Sequence, residues 1–222
     1  MIPERFAPVL AELAPLAERF AGAGHRLYLV GGTVRDLMVG SARGDFDLDL
    51  TTDARPPDIK ACLTGWADAV WTQGERFGTI GAKFGERIYE ITTFRAESYA
   101  DDSRKPHVTY ADDVETDLGR RDFTVNAMAL ELTGGDTPTL VDPHGGAVDL
   151  INKVLRTPLG PDVSFSDDPL RMLRAARFIA GYGLQPTEQL VAAVNDMASR
   201  LEIVSAERIR DEFDKLITVD HP

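Results

Sequence analysis

Along the first twenty positions, Phe6, Val9, Leu10, Leu13, Leu16 and Phe20 recur at helical spacing, interrupted by Glu4, Arg5, Glu12, Glu18 and Arg19. The pattern predicts an amphipathic helix rather than a signal segment. RLYLVGG at 26–32 is a continuous apolar run ending in a glycine pair, as in a buried strand entering a tight turn. TVRDLMVG predicts a short helix closed by Gly40, DLDLTT a strand, and PPDIKACLTGWA a helix opened by prolines. Residues 68–95 alternate, with glycines breaking the alternation, which predicts strands joined by tight turns. Residues 97–117 are polar without a period and predict a mobile loop. A turn at DPHGG (142–146) and a short helix from about 147 follow. From Ser166 onward there is no strand signal. Helices are predicted over 167–181, 186–199 and 205–217, the last with Leu201, Ile203, Ile209, Phe213 and Leu216 as its core face. The composition shift at RTPLGP (156–161) marks the expected domain boundary.

Polar positions are most unusual in DFDLDLTTDARP, residues 45–56. Side chains two apart on a strand share a face. Asp47 and Asp49 therefore face one way and Leu48 and Leu50 the other, so the leucines can anchor the strand while the acids project into a cleft. Carboxylates that close raise each other's pKa and oppose folding. A divalent cation removes the repulsion, and Mg²⁺ takes one or two carboxylates together with substrate phosphates. The plainer reading is a solvated edge strand whose acids deter edge-to-edge pairing. The preceding LVGGTVRD is strand, glycine pair and helix start. Gly31 and Gly32 allow close backbone approach to a phosphate, and a helix N-terminus favours anions. Arg35 can add a bidentate phosphate contact. A plain strand-to-helix turn also explains the glycines; a phosphate cradle closely followed by an acid pair is the more specific combination.

The chain has 222 residues, 43% hydrophobic and 27% charged, enough for one large domain or two modest ones. A net charge of −12 argues against a generic nucleic-acid coat without excluding a local basic groove. Cys62 is the single cysteine, which rules out an internal disulfide and fits a reducing cytoplasm. No Cys/His cluster has zinc-ligand spacing. No apolar run approaches the roughly 18–20 residues that span a membrane.

In DDPLRMLRAARF (167–178), Asp168 and Arg171 are three apart, neighbours if both lie on a helix. A carboxylate accepts and a guanidinium donates. Cytosine offers an amine beside the acceptor N3, and adenine an amine beside N1. Uracil and guanine present a carbonyl beside an N–H and would leave polar groups unpaired. Such a pair suits CTP and ATP without a nucleic-acid template. Arg174 and Arg177 continue at spacings of three but drift around the helix, so all four cannot meet one base. An N-cap at Asp168 with Arg171 as its ordinary partner is the simpler alternative.

Taken in order, GGTVRD, DLDLTTDARP, RRDFTVNAMAL (120–130), VDPHGG (141–146), DDPLRMLRAARF and SAERIRDEFDKL (205–216) resemble the class II nucleotidyltransferases of the polymerase-β superfamily. These are the bacterial CCA-adding enzymes (tRNA nucleotidyltransferases) and their poly(A) polymerase relatives. The resemblance runs from about residue 26 to 217. It implies an α+β fold: a polymerase-β-like nucleotidyltransferase head, a mixed sheet with flanking helices, over 1–157, and a small all-helical, base-recognising neck over 158–222. By the same resemblance Asp47 and Asp49 are the catalytic, metal-binding acids for two Mg²⁺ ions, with Asp45/Asp47 as the alternative frame. Gly31, Gly32 and Arg35 would bind the triphosphate and Arg121 the nucleotide. Asp122 is the candidate third catalytic carboxylate, with Glu90 in IYEITTF competing. Asp168, Arg171, Arg174 and Arg177 would form the nucleotide site, and Glu207 and Arg208 structural braces.

The implied activity is template-independent addition of C and A to tRNA 3′ ends from CTP and ATP. The polar stretch 96–110 is of the kind found in full CCA-adding enzymes. Poly(A) polymerase, a CC- or A-adding enzyme, and a non-catalytic nucleotide-binding module are the alternatives. Family members continue past the last motif with body and tail domains that hold tRNA. A truncated or short form with a weak grip on tRNA is therefore expected, with its oligomeric state open.

Overall fold

The computed structural model describes residues 2–40, 47–98, 107–133 and 138–219. The N-terminal periodic segment forms α1 (Ala7–Gly22), which buries Leu13, Leu16, Ala17 and Phe20. It is followed by β1 (Leu27–Val30), α2 (Gly32–Val39), β2 (Leu48–Thr52), α3 (Pro56–Leu63), β3 (Ala69–Trp71), β4 (Thr79–Phe84) and β5 (Arg87–Thr93). Next come β6 (Arg95–Ser98), β7 (His107–Tyr110), α4 (Val114–Gly119), β8 (Ala129–Glu131), β9 (Thr139–Val141) and α5 (Gly146–Asn152). The C-terminal part holds β10 (Val154–Leu155), α6 (Pro161–Asp167), α7 (Arg171–Tyr182), β11 (Gln185–Pro186), α8 (Glu188–Met197) and α9 (Ala206–Ile217). Among the described residues no helix is long and apolar enough to cross a membrane.

β3, β4, β5, β2, β1, β8 and β9 form one seven-stranded sheet in that order. β2 and β5 run parallel; the other neighbours are antiparallel. One face is closed: Leu29, Leu48, Leu50, Ile80, Tyr89 and Ile91 share a core with Leu13, Leu16 and Phe20 of α1 and Ile59 and Leu63 of α3. On the opposite face a smaller cluster, Tyr28, Val30 and Ala129 under Val114 and Leu118 of α4, covers only the β1–β8 end. The β2–β5–β4–β3 end of that face is open and lines a cavity. The main core runs on into the C-terminal helices through Phe165, Met172 and Phe178, with the Phe123 and Phe178 rings 5.1 Å apart.

Where residues 97–117 predict a single loop, the described part contains the paired strands β6 and β7 and helix α4. A two-stranded hairpin outside the main sheet carries little apolar pattern. The short α4 is set by Asp113, whose carboxylate accepts from the Thr116 N–H at 2.7 Å. The helix expected over 167–181 is α7, which starts four residues later, and a separate helix, α6, precedes it. Pro169 lacks an N–H and drives Asp168 to extended backbone (φ −143°, ψ 100°), so α6 stops at Asp167 and α7 starts at Arg171. The C-terminal part also contains a strand: β11 pairs in parallel with β10, two residues each, too short for a periodic signal. On α9 the buried residue is Glu212, while Phe213 and Ile203, expected in the core, are 51% and 40% exposed. Ion pairing with Arg174 and Arg177 draws Glu212 inward in their place.

Candidate active site

β1 delivers the chain to Gly31, whose φ of 72° a side chain rarely tolerates. Gly32 then opens α2. A Cβ on Gly31 would stand 3.1 Å from Arg121 Nη1 and 3.8 Å from Asp49 Oδ2. The glycine thus brings bare backbone against an acid and a guanidinium at once.

Register sets the rest. Asp49 in β2 lies opposite Glu90 in β5, Glu90 opposite Gly81 in β4, and Gly81 opposite Trp71 in β3. Paired residues share a face, so these four form a row across the open side of the sheet. Leu48 and Leu50 are 1% exposed on the closed side, as the D-L-D-L alternation predicts. Asp47, just ahead of β2, is exposed. Burial pushes the Asp49 carboxyl up to about 6; Arg121 opposes this, while Glu90 and Asp47 add to it. Among the described residues no hydrogen bond or ion pair occupies Asp47 or Asp49. Asp45, the acid of the alternative frame, lies outside the described residues.

Positive charge is placed beside these acids from α4. Fully buried Asp117 holds Arg120 at 2.9 Å and Arg121 at 3.3 Å. Burial raises the Asp117 pKa, but the two guanidiniums and the Arg95 N–H outweigh it and hold the carboxyl below its usual range. Arg121 is thereby fixed over Gly31, with its buried Nε unpaired.

Asp122, expected as a catalytic carboxylate, has both oxygens in use. Oδ1 accepts from the Phe123 N–H at 2.8 Å and from Asn126 Nδ2 at 2.9 Å. Oδ2 accepts from Arg174 Nε at 2.9 Å and Nη2 at 2.6 Å. Burial alone would raise its pKa; Arg174 and the hydrogen bonds hold it below the usual carboxylate range. Asp122 is thus engaged by four donors, and the carboxylate opposite Asp49 across the sheet is Glu90. Arg174 also faces Glu212 at 3.7 Å, and Arg177 pairs with Glu212 and lies over the Phe178 ring. Arg174 and Arg177, expected at the nucleotide, therefore form with Asp122 and Glu212 a largely buried chain of charges between α7 and α9. Arg35, expected at the triphosphate, is also engaged. It donates to Asp36, Asn126 and the Tyr182 hydroxyl, with its guanidinium 4.3 Å from the Tyr182 ring centroid. From there it ties the glycine turn to α7.

A cavity of about 930 Å³ lies over the open face. Trp71, Phe77, Gly81 and Glu90 line it from the sheet side, and Asp168, Arg171 and Arg208 from the C-terminal helices. A second cavity of about 220 Å³ shares Glu90, Arg95 and Arg120 with it and reaches Asp49 and Arg121. Asp168 and Arg171 straddle the α6–α7 break instead of pairing along one helix. Asp168 Oδ2 accepts from Arg208 Nη2 at 2.8 Å. Buried Arg171 donates to Ser164 Oγ at 2.9 Å and to the Arg120 carbonyl at 2.6 Å. Arg95, Arg120, Trp71 and Phe77 escape a motif-based reading; only the strand register and α4 bring them to the site.

A family model described as "Poly A polymerase head domain" matches residues 27–156, over half of the chain. The chain belongs to the poly(A) polymerase head-domain family. A second model, "Probable RNA and SrmB- binding site of polymerase A", matches residues 183–222 of this family member. It is similar to the CCA-adding enzyme of Lactobacillus helveticus, 38% identical over 214 residues, covering 96% of this chain and 51% of that protein. The Bacillus subtilis CCA-adding enzyme is also 38% identical, over 210 residues, covering 94% and 50%. Among solved structures, Bacillus stearothermophilus CCA-adding enzyme in complex with CTP superposes with a TM-score of 0.81 at 32% identity, covering 98% of this chain and 50% of that one. Thermotoga maritima CCA-adding enzyme complexed with tRNA_CCA gives 0.81 at 28% identity, covering 99% and 50%. The head-domain family member described above thus has the polymerase-β-like nucleotidyltransferase fold and spans about half the length of the curated relatives it matches.

Proposed function

We propose that this chain carries the nucleotidyl-transfer site of a tRNA CCA-adding enzyme acting in the cytoplasm. Its head spans 1–157 and its base-reading neck 158–222, with CTP and ATP as donors and the tRNA 3′ end as acceptor. The observation that carries the proposal is unpaired Asp49 beside Gly31 and Arg121, with unpaired Asp47 two residues before it, next to a cavity lined by Asp168 and Arg171.

The donor set fits Mg²⁺. Two unpaired carboxylates lie in and just ahead of β2, and burial, with Glu90 and Asp47 adding to it, lifts the Asp49 pKa, a cost that a cation relieves. Among the described residues no group of three or more His, Cys, Asp or Glu could hold a metal by itself. That suits an ion completed by phosphate and water. Asp47 and Asp49 would hold the two ions, with Glu90 beside them. When bound, Mg²⁺ neutralises phosphate charge and lowers the pKa of the acceptor hydroxyl.

Gly31 and Gly32 take the triphosphate at the start of α2, where bare backbone and the helix end favour an anion. Arg121 clamps the nucleotide over the same turn. The acceptor 3′-oxygen forms a bond to the α-phosphorus, the bond from that phosphorus to the β-phosphate oxygen breaks, pyrophosphate leaves, and the hydroxyl proton passes to water. Asp168, held by Arg208, accepts from the amine of C or A, and Arg171 donates to the ring nitrogen. Binding and orientation supply most of the catalysis.

Incubating the chain with Mg²⁺, labelled CTP and ATP and a tRNA lacking its 3′ CCA tests this. The expected product is extension by C, C and A, with weak saturation by tRNA. Long A tracts would support the poly(A) alternative, and no incorporation at any RNA concentration would overturn the catalytic reading.

A further inference from the structure

Trp71 is used by nothing described so far. It stands 36% exposed at the far end of the Asp49–Glu90–Gly81–Trp71 row. Its indole lies over β4: Nε1 would be 2.0 Å and Cε2 2.1 Å from a Cβ on Gly81. Glycine at 81 is what lets the ring lie there. Among the described residues the other tryptophan, Trp66, stacks on Phe84 at 4.7 Å and packs against Tyr89, whereas no ring covers Trp71. Trp71 and Phe77 line the 930 Å³ cavity opposite Asp168, Arg171 and Arg208.

That division matches the anatomy of a nucleobase. Its edge is read by polar groups and its face is matched by an aromatic plane. Edge-reading side chains on one wall, an uncovered indole on the other and the phosphate-side acids along the same sheet row leave the indole one task. We propose that Trp71 is a stacking platform for a nucleobase in the cleft, positioned by Gly81. The base belongs either to the incoming nucleotide or to the terminal residue of the RNA acceptor. The proposal rests on the nucleotidyltransferase reading and extends it to the sheet side of the cavity.

Trp71→Ala, Trp71→Phe and Gly81→Ala are compared with wild type in steady-state extension, varying CTP with RNA saturating and then RNA with CTP saturating. Loss of one stacked base predicts that Trp71→Ala raises one of the two KM values by about tenfold or more, while Trp71→Phe stays within about threefold. Gly81→Ala pushes the indole off β4 and moves the same KM. A rise in the KM for CTP assigns the base to the incoming nucleotide, and a rise in the KM for RNA assigns it to the acceptor. Unchanged KM values in a Trp71→Ala protein that melts like wild type would overturn the proposal. So would a Trp71→Phe protein as impaired as Trp71→Ala. A binding readout separates this from the parent reading: in a Trp66→Phe background, CTP or an RNA hairpin ending at the acceptor position should quench the remaining tryptophan fluorescence. If wild type never extends RNA, the nucleotidyltransferase reading fails on its own. Absence of quenching at ligand concentrations that raise the melting temperature overturns the platform.

Discussion

On one face of the sheet Leu48, Leu50, Ile80 and Ile91 are sealed under α1 and α3; on the other, Asp49, Glu90 and Trp71 line two cavities that share Glu90. The same strands build both. Adjacent residues in β2 differ, Leu50 being 1% exposed and Asp49 lining a cavity, because a strand alternates its side chains. A one-residue slip would exchange the two sets. Each buried leucine contributes about 1.5–3 kcal/mol, and that closed face holds in place a row of acids that oppose folding when no cation is present. Stability and chemistry are divided by parity along the strand.

The largest expected effect separates the two faces outright. Asp49→Ala should lower nucleotide transfer by at least about 10²–10³-fold while leaving the melting temperature equal to or above that of wild type. A large fall in melting temperature would break the division. Next, Arg174→Ala leaves Asp122 and Glu212 without their shared cation. Breaking such a pair costs about 3 kcal/mol in denaturant unfolding, at the low end of the buried range because Arg174 is 30% exposed. Leu50→Ala, one residue from Asp49 but on the closed face, should cost about 2–5 kcal/mol and leave the KM for CTP unchanged in the folded fraction. The smallest effect is a pH slope. The folded pKa of Asp122 is lowered, so its contribution to stability is full above the unfolded value of about 3.9 and is lost as pH falls below it. Acid melting curves of Asp122→Asn should therefore fall less steeply than wild type below about pH 4. Equal slopes would remove Asp122 from the charge chain.

Much of the open face is legible in residue order. The D-L-D-L alternation gives the parity of Asp49, and the glycine pair after RLYLV marks the turn that meets it. Pro169, after which α7 begins, falls inside the helix that periodicity predicts over 167–181. What escapes is everything set by pairing between distant strands or helices. In sequence Glu90 and Asp122 look equivalent; only the parallel β2–β5 register puts Glu90 opposite Asp49, and only the packing of α7 brings Arg174 to Asp122. The arginines at 171, 174 and 177 look alike in sequence. Their separation depends on Glu212, which sits far along the chain on a helix whose apolar pattern suggests another inward face. The β6–β7 hairpin and α4 were hidden by polar composition, although α4 supplies the Asp117 that anchors Arg120 and Arg121.

The central claim is that Asp47 and Asp49 hold Mg²⁺ against a triphosphate at the Gly31 turn. Thermal melting of wild type and of Asp47→Ala and Asp49→Ala, with CTP alone and with CTP plus Mg²⁺, tests it most directly. The claim predicts an added Mg²⁺-dependent rise in melting temperature for wild type that both variants lose. An equal Mg²⁺-dependent rise in all three proteins would contradict it.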